Sequence, residues 1–410
     1  MAVQDTARIQ RRTLRLLFGT QIISGIGVTT GSTVGALLAA ELASVAVSGL
    51  AGSAVVAGAA LFALPAAAIV RRRGRRPSLA AGYFVAALGA MLVVVAATRA
   101  SIPLLFAGFF LFGGATAANL QARYAAVDLA PAPLRGRHLS IIVWATTLGA
   151  VAGPPFAAFS GAALTGYGVP VLAGPFFFSA LLLGLAGLGL LIFLRPDPAI
   201  VAGTAGATSV GAGGVAHAFR AVRARAPATL GVMAMAIGQL VMSGVMAMTP
   251  VHIKSGGHDA AHTLRIVGLV LSFHIAGMYA FAPLMGWLTD RLGRRPVIFG
   301  GLGLLLAACA VSGSAGHRSA QLAVGLMILG LGWSATTVAG ATLLSESVPA
   351  ELRASAQGLS DLTMGLAGAS AGAASGVIVG ASSYATLTLV AALASVLMIL
   401  WVAVSRLRLP

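Results

Sequence analysis

Hydrophobic positions in this chain form long runs, broken only by short stretches rich in arginine, proline and glycine. A bilayer core about 30 Å thick requires roughly 20 apolar residues for each spanning helix. Twelve runs reach that length, so the pattern predicts an all-α membrane protein with twelve transmembrane helices. The predicted spans are residues 14–40, 43–69, 78–98, 102–126, 139–163, 168–194, 228–251, 263–287, 296–314, 319–345, 354–381 and 384–405.

The two halves of the chain repeat each other. Gly74 and Gly293 hold the same place in two arginine-rich breaks, 219 positions apart (293 − 74), and Arg135 and Arg353 are 218 apart (353 − 135). Repeated sets of membrane helices are typical of transporters. The repeat predicts two pseudo-symmetric six-helix bundles and a cytoplasmic linker, with bundles at residues 1–194 and 228–410 and the linker at 195–227.

The predicted linker has two parts. Its Gly-, Ala-, Ser- and Thr-rich stretch 203–214 predicts a flexible connection. The stretch 215–225 sets His217, Arg220 and Arg223 among apolar residues. That pattern suits either a short basic helix lying on anionic headgroups or a disordered segment.

Composition and charge placement define the class and the orientation. Hydrophobic residues make up 58% of the chain and charged residues 9%, whereas about a quarter of a soluble domain is charged. All Lys and Arg except Arg99, Lys254, Arg265 and Arg318 lie on one side of the predicted topology. Cytoplasmic loops carry such an excess, so we expect a multi-pass protein of the cytoplasmic (inner or plasma) membrane with both termini inside. Arginines in short loops do not indicate nucleic-acid binding.

Amide side chains well inside the spans mark the candidate substrate cavity. Gln21 and Gln239 are related by the repeat (239 − 21 = 218), and each is followed by a Ser-Gly pair. An amide in hydrocarbon costs several kcal/mol unless it finds partners or water. The amides indicate a wet cleft, with hydrogen-bonded interhelical packing as the alternative. The candidate cavity residues are Gln21, Ser24, Asn119, Gln121, Gln239, Ser243, Trp333, Thr336 and Thr337.

Ionisable residues inside the spans are few. His274 in span 8 is a candidate for proton coupling because a histidine side chain has an unperturbed pKa of about 6.5. A structural hydrogen bond is its favoured role, with proton carriage or substrate contact as alternatives. Asp361, about two turns into span 11, is a second candidate for proton coupling. Arg123 at the inner end of span 4 either recruits an anionic group or pairs with Asp128, and the pair is favoured. No carboxylate falls at the middle of a span, which argues against a strongly charged substrate.

Metal binding and catalysis find no support in the pattern. Histidines and one acid cluster in the loop after span 7, but loop histidines are usually solvated, so no metal site is expected. The sequence contains neither a nucleophile with a base nor a phosphate-binding loop for ATP. We therefore expect no enzyme activity and no cofactor. The loop cluster consists of His252, His258, Asp259 and His262.

The arginine-rich break of the second half resembles a loop motif of the major facilitator superfamily of secondary transporters. Its matching residues are Gly286, Asp290, Arg291, Gly293, Arg294 and Arg295, and the first half keeps Gly74, Arg75 and Arg76 but has Arg71 where Asp290 aligns. The resemblance implies two six-helix bundles that work by alternating access, with a substrate site between them near the bilayer midplane. It also implies that the protein lies in a lipid bilayer and binds a small-molecule substrate. Protons are the candidate coupling ion, and the protein is expected to be a monomer.

Span 5 favours export over uptake. Gly149, Gly153 and Pro154 resemble the Gly-x-x-x-Gly-Pro element of the superfamily's antiporters. Phe109 and Phe110 stand where its drug:proton antiporters carry an arginine, which argues against the usual proton route. We expect efflux of neutral or lipophilic small molecules. The alternatives are an uptake symporter or facilitator for a polar metabolite and, from another class, a membrane receptor or scaffold that transports nothing.

The arginine-rich loops also predict a latch that closes the cytoplasmic side. A helix N-terminus attracts an anion, so Asp290 is expected to meet the start of span 5. Asp361, with Glu346 or Glu351, is expected to supply negative charge to the arginines at 71–76. The alternative is that these loop charges are solvated and contribute little.

Overall fold

A computed structural model describes residues 2–131, 134–203, 212–349 and 352–406, and the described residues contain helices and no strand. Twelve helical stretches are long and apolar enough to cross a membrane, which confirms the predicted fold. The α-helices are α1 Ala2–Leu42, α2 Val45–Ser48, α3 Leu50–Arg73, α4 Arg75–Arg99, α5 Ile102–Phe112, α6 Gly114–Ala125, α7 Arg135–Ala163, α8 Gly174–Phe193, α9 Pro198–Val201, α10 Ala212–Arg223, α11 Ala226–Lys254, α12 Ala260–Tyr279, α13 Ala282–Leu292, α14 Arg294–Gly313, α15 Ser319–Ser347, α16 Arg353–Ala381 and α17 Tyr384–Arg406.

In both arginine-rich breaks, the chain changes direction at a glycine whose backbone φ angle is positive. Gly74 has φ 90° and joins α3 to α4, and Gly293 has φ 92° and joins α13 to α14. A side chain would strain the backbone at these angles. The two repeats therefore share the same one-residue connection, which fixes where the following arginines begin the next helix.

Predicted span 4 is divided at Gly113 into α5 and α6. A Cβ at Gly113 would overlap the carbonyl oxygen of Val55 in α3. The rings of Phe62 and Phe110 pack in a tilted arrangement beside this crossing, with centroids 5.6 Å apart. Close backbone approach through small residues is how membrane helices pack, and here it sets the direction in which α6 points its polar side chains.

The chain forms two compact units. Unit 1 comprises residues 1–43, 54–207 and 259–268, and unit 2 comprises residues 44–53, 208–258 and 269–410. Each unit thus contains one ten-residue segment from the other half of the sequence. The bundle boundaries at 194 and 228 stay a prediction.

Inside unit 1, α1 packs along α7 through facing glycines. A Cβ at Gly25 would lie 3.0 Å from the Thr146 carbonyl oxygen and 3.1 Å from the Gly149 Cα. Gly153 lies against Thr29 one turn further along. Thus Gly149 and Gly153, the candidates from predicted span 5, set the spacing between α1 and α7.

Inside unit 2, the basic segment before the seventh span forms helix α10 and packs onto its neighbours. Ala221 and Val222 are buried, and Val222 joins a core with Val232, Leu344 and Val348. The structure has the helix of the first predicted alternative, whereas its contact with anionic headgroups stays a prediction. Residues 204–211 of the predicted flexible stretch lie outside the described residues.

Candidate functional site

A cluster of hydrogen-bonded polar side chains lies in unit 1, where α1, α4, α6 and α7 meet. Gln21 Nε2 donates to the Tyr83 hydroxyl at 2.7 Å, and that hydroxyl donates to Asn119 Oδ1 at 2.7 Å. Ser24 Oγ donates to the same oxygen at 3.1 Å, and Thr146 Oγ1 donates to Gln21 Oε1 at 3.0 Å. We call Gln21, Ser24, Tyr83, Asn119 and Thr146 the unit 1 polar cluster.

Small residues position the unit 1 polar cluster. Gly25 and Gly149 bring α1 against α7, which places Thr146 within reach of Gln21. Gly82 of α4 would meet the Ala118 Cβ at 2.9 Å if it carried a side chain. That contact holds α4 against α6 and brings Tyr83 to Asn119. The polar groups therefore meet because apolar neighbours are small.

Members of this cluster differ in exposure. Gln21 and Ser24 are completely buried, and Gln21 uses both ends of its amide on protein partners. Asn119 is only half-buried. Of the three cavity candidates in the cluster, only Asn119 has a partly exposed side chain, and its oxygen is held by Ser24 and Tyr83.

A second cluster occupies the corresponding place in unit 2. Trp333 Nε1 donates to Gln239 Oε1 at 2.8 Å, and Gln239 Nε2 donates to Ser243 Oγ at 2.9 Å. The Tyr279 ring meets the Trp333 ring edge to face, with centroids 5.8 Å apart. All four side chains are half-buried. We call Gln239, Ser243, Tyr279 and Trp333 the unit 2 polar cluster.

The other candidates in unit 2 are buried side chains of the helix packing. Thr336 is fully buried and its hydroxyl hydrogen-bonds the Gly332 carbonyl at 3.0 Å. The Thr337 hydroxyl is buried with no hydrogen-bond partner among the described residues. His274 is fully buried; its Nδ1 lies 2.8 Å from the Leu326 carbonyl oxygen, and Nε2 has no partner among the described residues. This bond is the structural role that the sequence favoured.

The arginine-rich breaks hold two ion pairs related by the repeat. Arg75 binds both oxygens of Asp128, with Nε to Oδ2 at 2.9 Å and Nη2 to Oδ1 at 3.2 Å. Arg294 binds Glu346 in the same way, at 3.0 Å and 2.6 Å. Bidentate pairs are geometrically specific. They join each break to the end of the second span after it, at the end of α6 in unit 1 and of α15 in unit 2.

Three expectations change because of these pairs. Asp128 pairs with Arg75, 53 positions away, and not with Arg123, which the sequence favoured as its partner. Gln121 Oε1 accepts from Arg75 Nη1 at 2.6 Å, so Gln121 belongs to this ion pair and lies apart from the unit 1 polar cluster. Glu346 is likewise held by Arg294, a partner that the predicted latch did not include.

Asp197 is a residue that the sequence analysis missed. Its carboxylate accepts from the backbone N–H of Arg75 at 3.1 Å and of Arg76 at 2.7 Å. It also caps the short helix α9 through Ala199. A carboxylate at a helix start satisfies free N–H groups and the positive end of the helix dipole. The signal was the Asp-Pro pair after span 6, typical of a helix N-cap.

The remaining loop candidates are placed as follows. The Asp290 side chain is 78% exposed and lies 3.8 Å from Arg294. The Arg291 guanidinium covers the Trp287 ring at 5.1 Å. Gly286, Arg295 and Asp361 lie in α13, α14 and α16. The side chain of Arg71 and the whole of Glu351 lie outside the described residues, so the latch stays a prediction.

Histidines at the far end of unit 2 form a stack. His252 lies flat on Tyr384, with centroids 4.4 Å apart, and on His317 at 5.2 Å. Its Nε2 lies 2.7 Å from the Gly316 carbonyl oxygen. Among the described residues, no group of three or more His, Cys, Asp and Glu side chains could hold a metal ion.

Comparison with known proteins decides the family. The model of the Major Facilitator Superfamily matches residues 17–265 and 257–410. The chain belongs to the major facilitator superfamily. It is therefore a multi-pass membrane transporter for small molecules and not an enzyme.

Relatives and solved structures of the superfamily agree. The uncharacterised transporter YdeG of Bacillus subtilis is 41% identical over 97% of this chain and 93% of its own. The riboflavin transporter RfnT of Brucella anthropi is 27% identical over 75% of this chain and 73% of its own. A D-xylose–proton symporter of known structure superposes with a TM-score of 0.71 at 18% identity, covering 94% of this chain and 96% of that one. The last match shows the fold alone.

Proposed function

We propose that this superfamily member exports neutral or lipophilic small molecules by alternating access. The observation that carries the proposal is the pair of polar clusters in the two halves of the repeat, each of which has half-buried polar side chains: Asn119 in unit 1, and Gln239 with Trp333 in unit 2. Neither cluster contains a carboxylate. A few hydrogen-bonding groups beside aromatic surface are what a small, largely apolar ligand requires.

Export, as opposed to uptake, is supported by the Gly-x-x-x-Gly-Pro element of predicted span 5, which lies in α7. A Cβ added at Gly149 or at Gly153 would overlap atoms of α1, so α7 has no room for side chains at these two positions. These are the residues that resemble the antiporter motif of the superfamily. In this proposal they keep α1 and α7 locked together while the substrate site changes sides.

Coupling to protons is supported only weakly by the candidates. His274 is bonded through Nδ1 to a backbone carbonyl and is fully buried. A buried ring that keeps a structural hydrogen bond is poorly placed to exchange protons with water. The proposal therefore leaves His274 as a packing residue, and Asp361 as the acid to test for coupling.

A second candidate function is uptake of a polar, uncharged metabolite. It is favoured by the amides of both clusters and by the likeness to the riboflavin transporter RfnT. Riboflavin itself is a neutral aromatic molecule with several hydrogen-bond acceptors, so it is a reasonable first ligand for either direction.

One experiment separates the two directions. Purified protein is reconstituted in liposomes, the orientation is determined by protease accessibility of the linker, and flux of radiolabelled ligands is measured with a proton gradient of either sign. Because a secondary transporter can run in both directions, the sign of the gradient reports the coupling. Export by proton antiport predicts ligand accumulation only in vesicles that are acidic inside. Accumulation only in vesicles that are acidic outside would overturn export and support uptake by symport, and no flux for any ligand that stabilises the protein would favour a receptor.

A further inference from the structure

Arg123 is a cation in a membrane span whose expected partner is already taken. Both oxygens of Asp128 are bound by Arg75. Among the described residues, no carboxylate forms an ion pair with Arg123, and its side chain is half-buried near the end of α6. A charged residue kept in a span without a counter-ion is costly and usually functional.

Helical spacing places Arg123 next to Asn119. The two residues are four positions apart in α6, so their Cβ atoms are roughly 5–6 Å apart on one face. Thr116 and Leu120 share this face; Thr116 is half-buried and Leu120 is 43% exposed. The opposite face of α6 is buried and consists of Ala115, Ala117, Ala118, Ala122 and Ala125.

This face offers hydrogen-bond donors to a ligand. Both hydrogen bonds of the Asn119 amide end on its oxygen, from Tyr83 and from Ser24. The Nδ2 group, with two donors, is the end left for a ligand. Arginine has five donors and no acceptor. An ionised carboxylate accepts only, so it matches a guanidinium and an amide N–H₂ together.

Comparison of the two halves indicates that the positive charge of Arg123 is not required for helix packing. The equivalent positions of the second half, at offsets of 218 and 219, are Ala341 and Thr342. The ion pair of Arg75 recurs in unit 2, but the charge of Arg123 does not. A cation required for helix packing would be expected in both halves.

We propose that Arg123 and Asn119 bind a single anionic oxygen group, a carboxylate, on an otherwise lipophilic substrate. The inference rests on the proposed function and narrows its substrate class to lipophilic weak acids. Asn119 is in turn positioned by Tyr83, whose hydroxyl fixes the direction of the amide. Leu120, exposed between the two donors, meets the apolar part of the ligand.

The test compares matched acids and amides. Full-length protein in a neutral detergent is screened by thermal shift with twenty aromatic and aliphatic carboxylates and their primary amides, among them 2-naphthoate and 2-naphthamide. We expect several acids to bind at least about tenfold more tightly than their amides, as for hydrogen bonds to charged groups. Arg123→Gln should remove this preference and keep amide binding, and Arg123→Lys should keep part of it.

Two further variants protect the test against a folding defect. Asn119→Asp keeps the acceptor for Tyr83 and Ser24 but places a negative charge beside Arg123, so it should abolish the acid preference while Arg123 is still present. Arg99→Gln, at the opposite end of the spans, should bind like the wild type.

Each contrary result has a distinct meaning. If amides bind and are exported but acids gain nothing, the inference about Arg123 fails and the proposed function stands. If neither class binds or is transported, both fail. If phosphatidylglycerol, and no carboxylate, stabilises the protein in an Arg123-dependent way, the anion is a lipid headgroup and the inference is also overturned.

Discussion

Arg75 binds the carboxylate of Asp128 through two hydrogen bonds, and the same geometry recurs in the second half of the chain between Arg294 and Glu346. The two pairs differ in exposure. The side chains of the first are 13% and 8% exposed, and those of the second are 29% and 49% exposed. The same arginine–carboxylate ion pair therefore occurs once in a mostly buried site and once in a more exposed site.

This difference predicts unequal losses of stability. Asp128→Asn leaves Arg75 charged in a mostly buried site, which costs about 3–5 kcal/mol. Glu346→Gln breaks an exposed pair worth less than about 1 kcal/mol. Melting temperatures of the two variants in the same detergent should show a large drop for the first and little change for the second. Equal drops would show that burial does not set the strength of these pairs.

Tyr83 predicts a second effect, on both stability and binding. Tyr83→Phe removes the hydroxyl that joins Gln21 to Asn119. It leaves the buried Gln21 Nε2 without this partner and the half-buried Asn119 Oδ1 with Ser24 alone. An unsatisfied buried group costs about 1–3 kcal/mol. Thermal unfolding and ligand affinity should both weaken. The control is Tyr124→Phe, because Tyr124 is exposed, and that variant should behave like the wild type.

The glycines of α7 that face α1 predict a steric effect of substitution on stability and transport. In Gly149→Ala, the new Cβ would lie 2.9 Å from the Gly25 Cα and 3.0 Å from the Ile26 nitrogen, so α1 and α7 must move apart. We expect a lower melting temperature and loss of flux in liposomes. Gly184→Ala, where a Cβ meets nothing within 4 Å, should be neutral or stabilising by up to about 1 kcal/mol. Full flux in Gly149→Ala would separate transport from this contact.

Trp333 predicts an optical signal for binding. It is half-buried and bonded to Gln239, whereas Trp144, Trp287 and Trp401 are exposed. A ligand at the unit 2 polar cluster should quench the Trp333 emission. The ligand-dependent change should disappear in Trp333→Phe and remain in Trp287→Phe. A response that survives in Trp333→Phe would place the ligand elsewhere.

The fold could be predicted from the sequence, but the partners inside it could not. Twelve apolar runs of bilayer length specify the spans, because length and hydrophobicity are local properties. Tyr83 was missed because it lies 62 positions from Gln21 and 36 from Asn119, and one tyrosine in an apolar span has no pattern of its own. Only tertiary packing of α4 against α1 and α6 brings them together.

The pairing of Asp128 shows a signal that was available. Proximity along the chain favoured Arg123, five positions away, yet Arg75 is the partner. Both members of this pair have charged counterparts of the same sign in the second half, Arg294 and Glu346, whereas Arg123 has none. Repeat symmetry therefore predicts the pair better than sequence distance does.

We expect the substrate to contact Asn119 and Gln239, whereas Gln21 is a buried residue that supports the unit 1 polar cluster. The direct measurement is labelling of single cysteines at these three positions, in a Cys309→Ser background, by a membrane-impermeant maleimide with and without a transported ligand. We predict that Asn119→Cys and Gln239→Cys react and are protected by ligand, while Gln21→Cys stays unreactive. If neither of the first two reacts from either side of the membrane, or ligand leaves their rates unchanged, the account is contradicted.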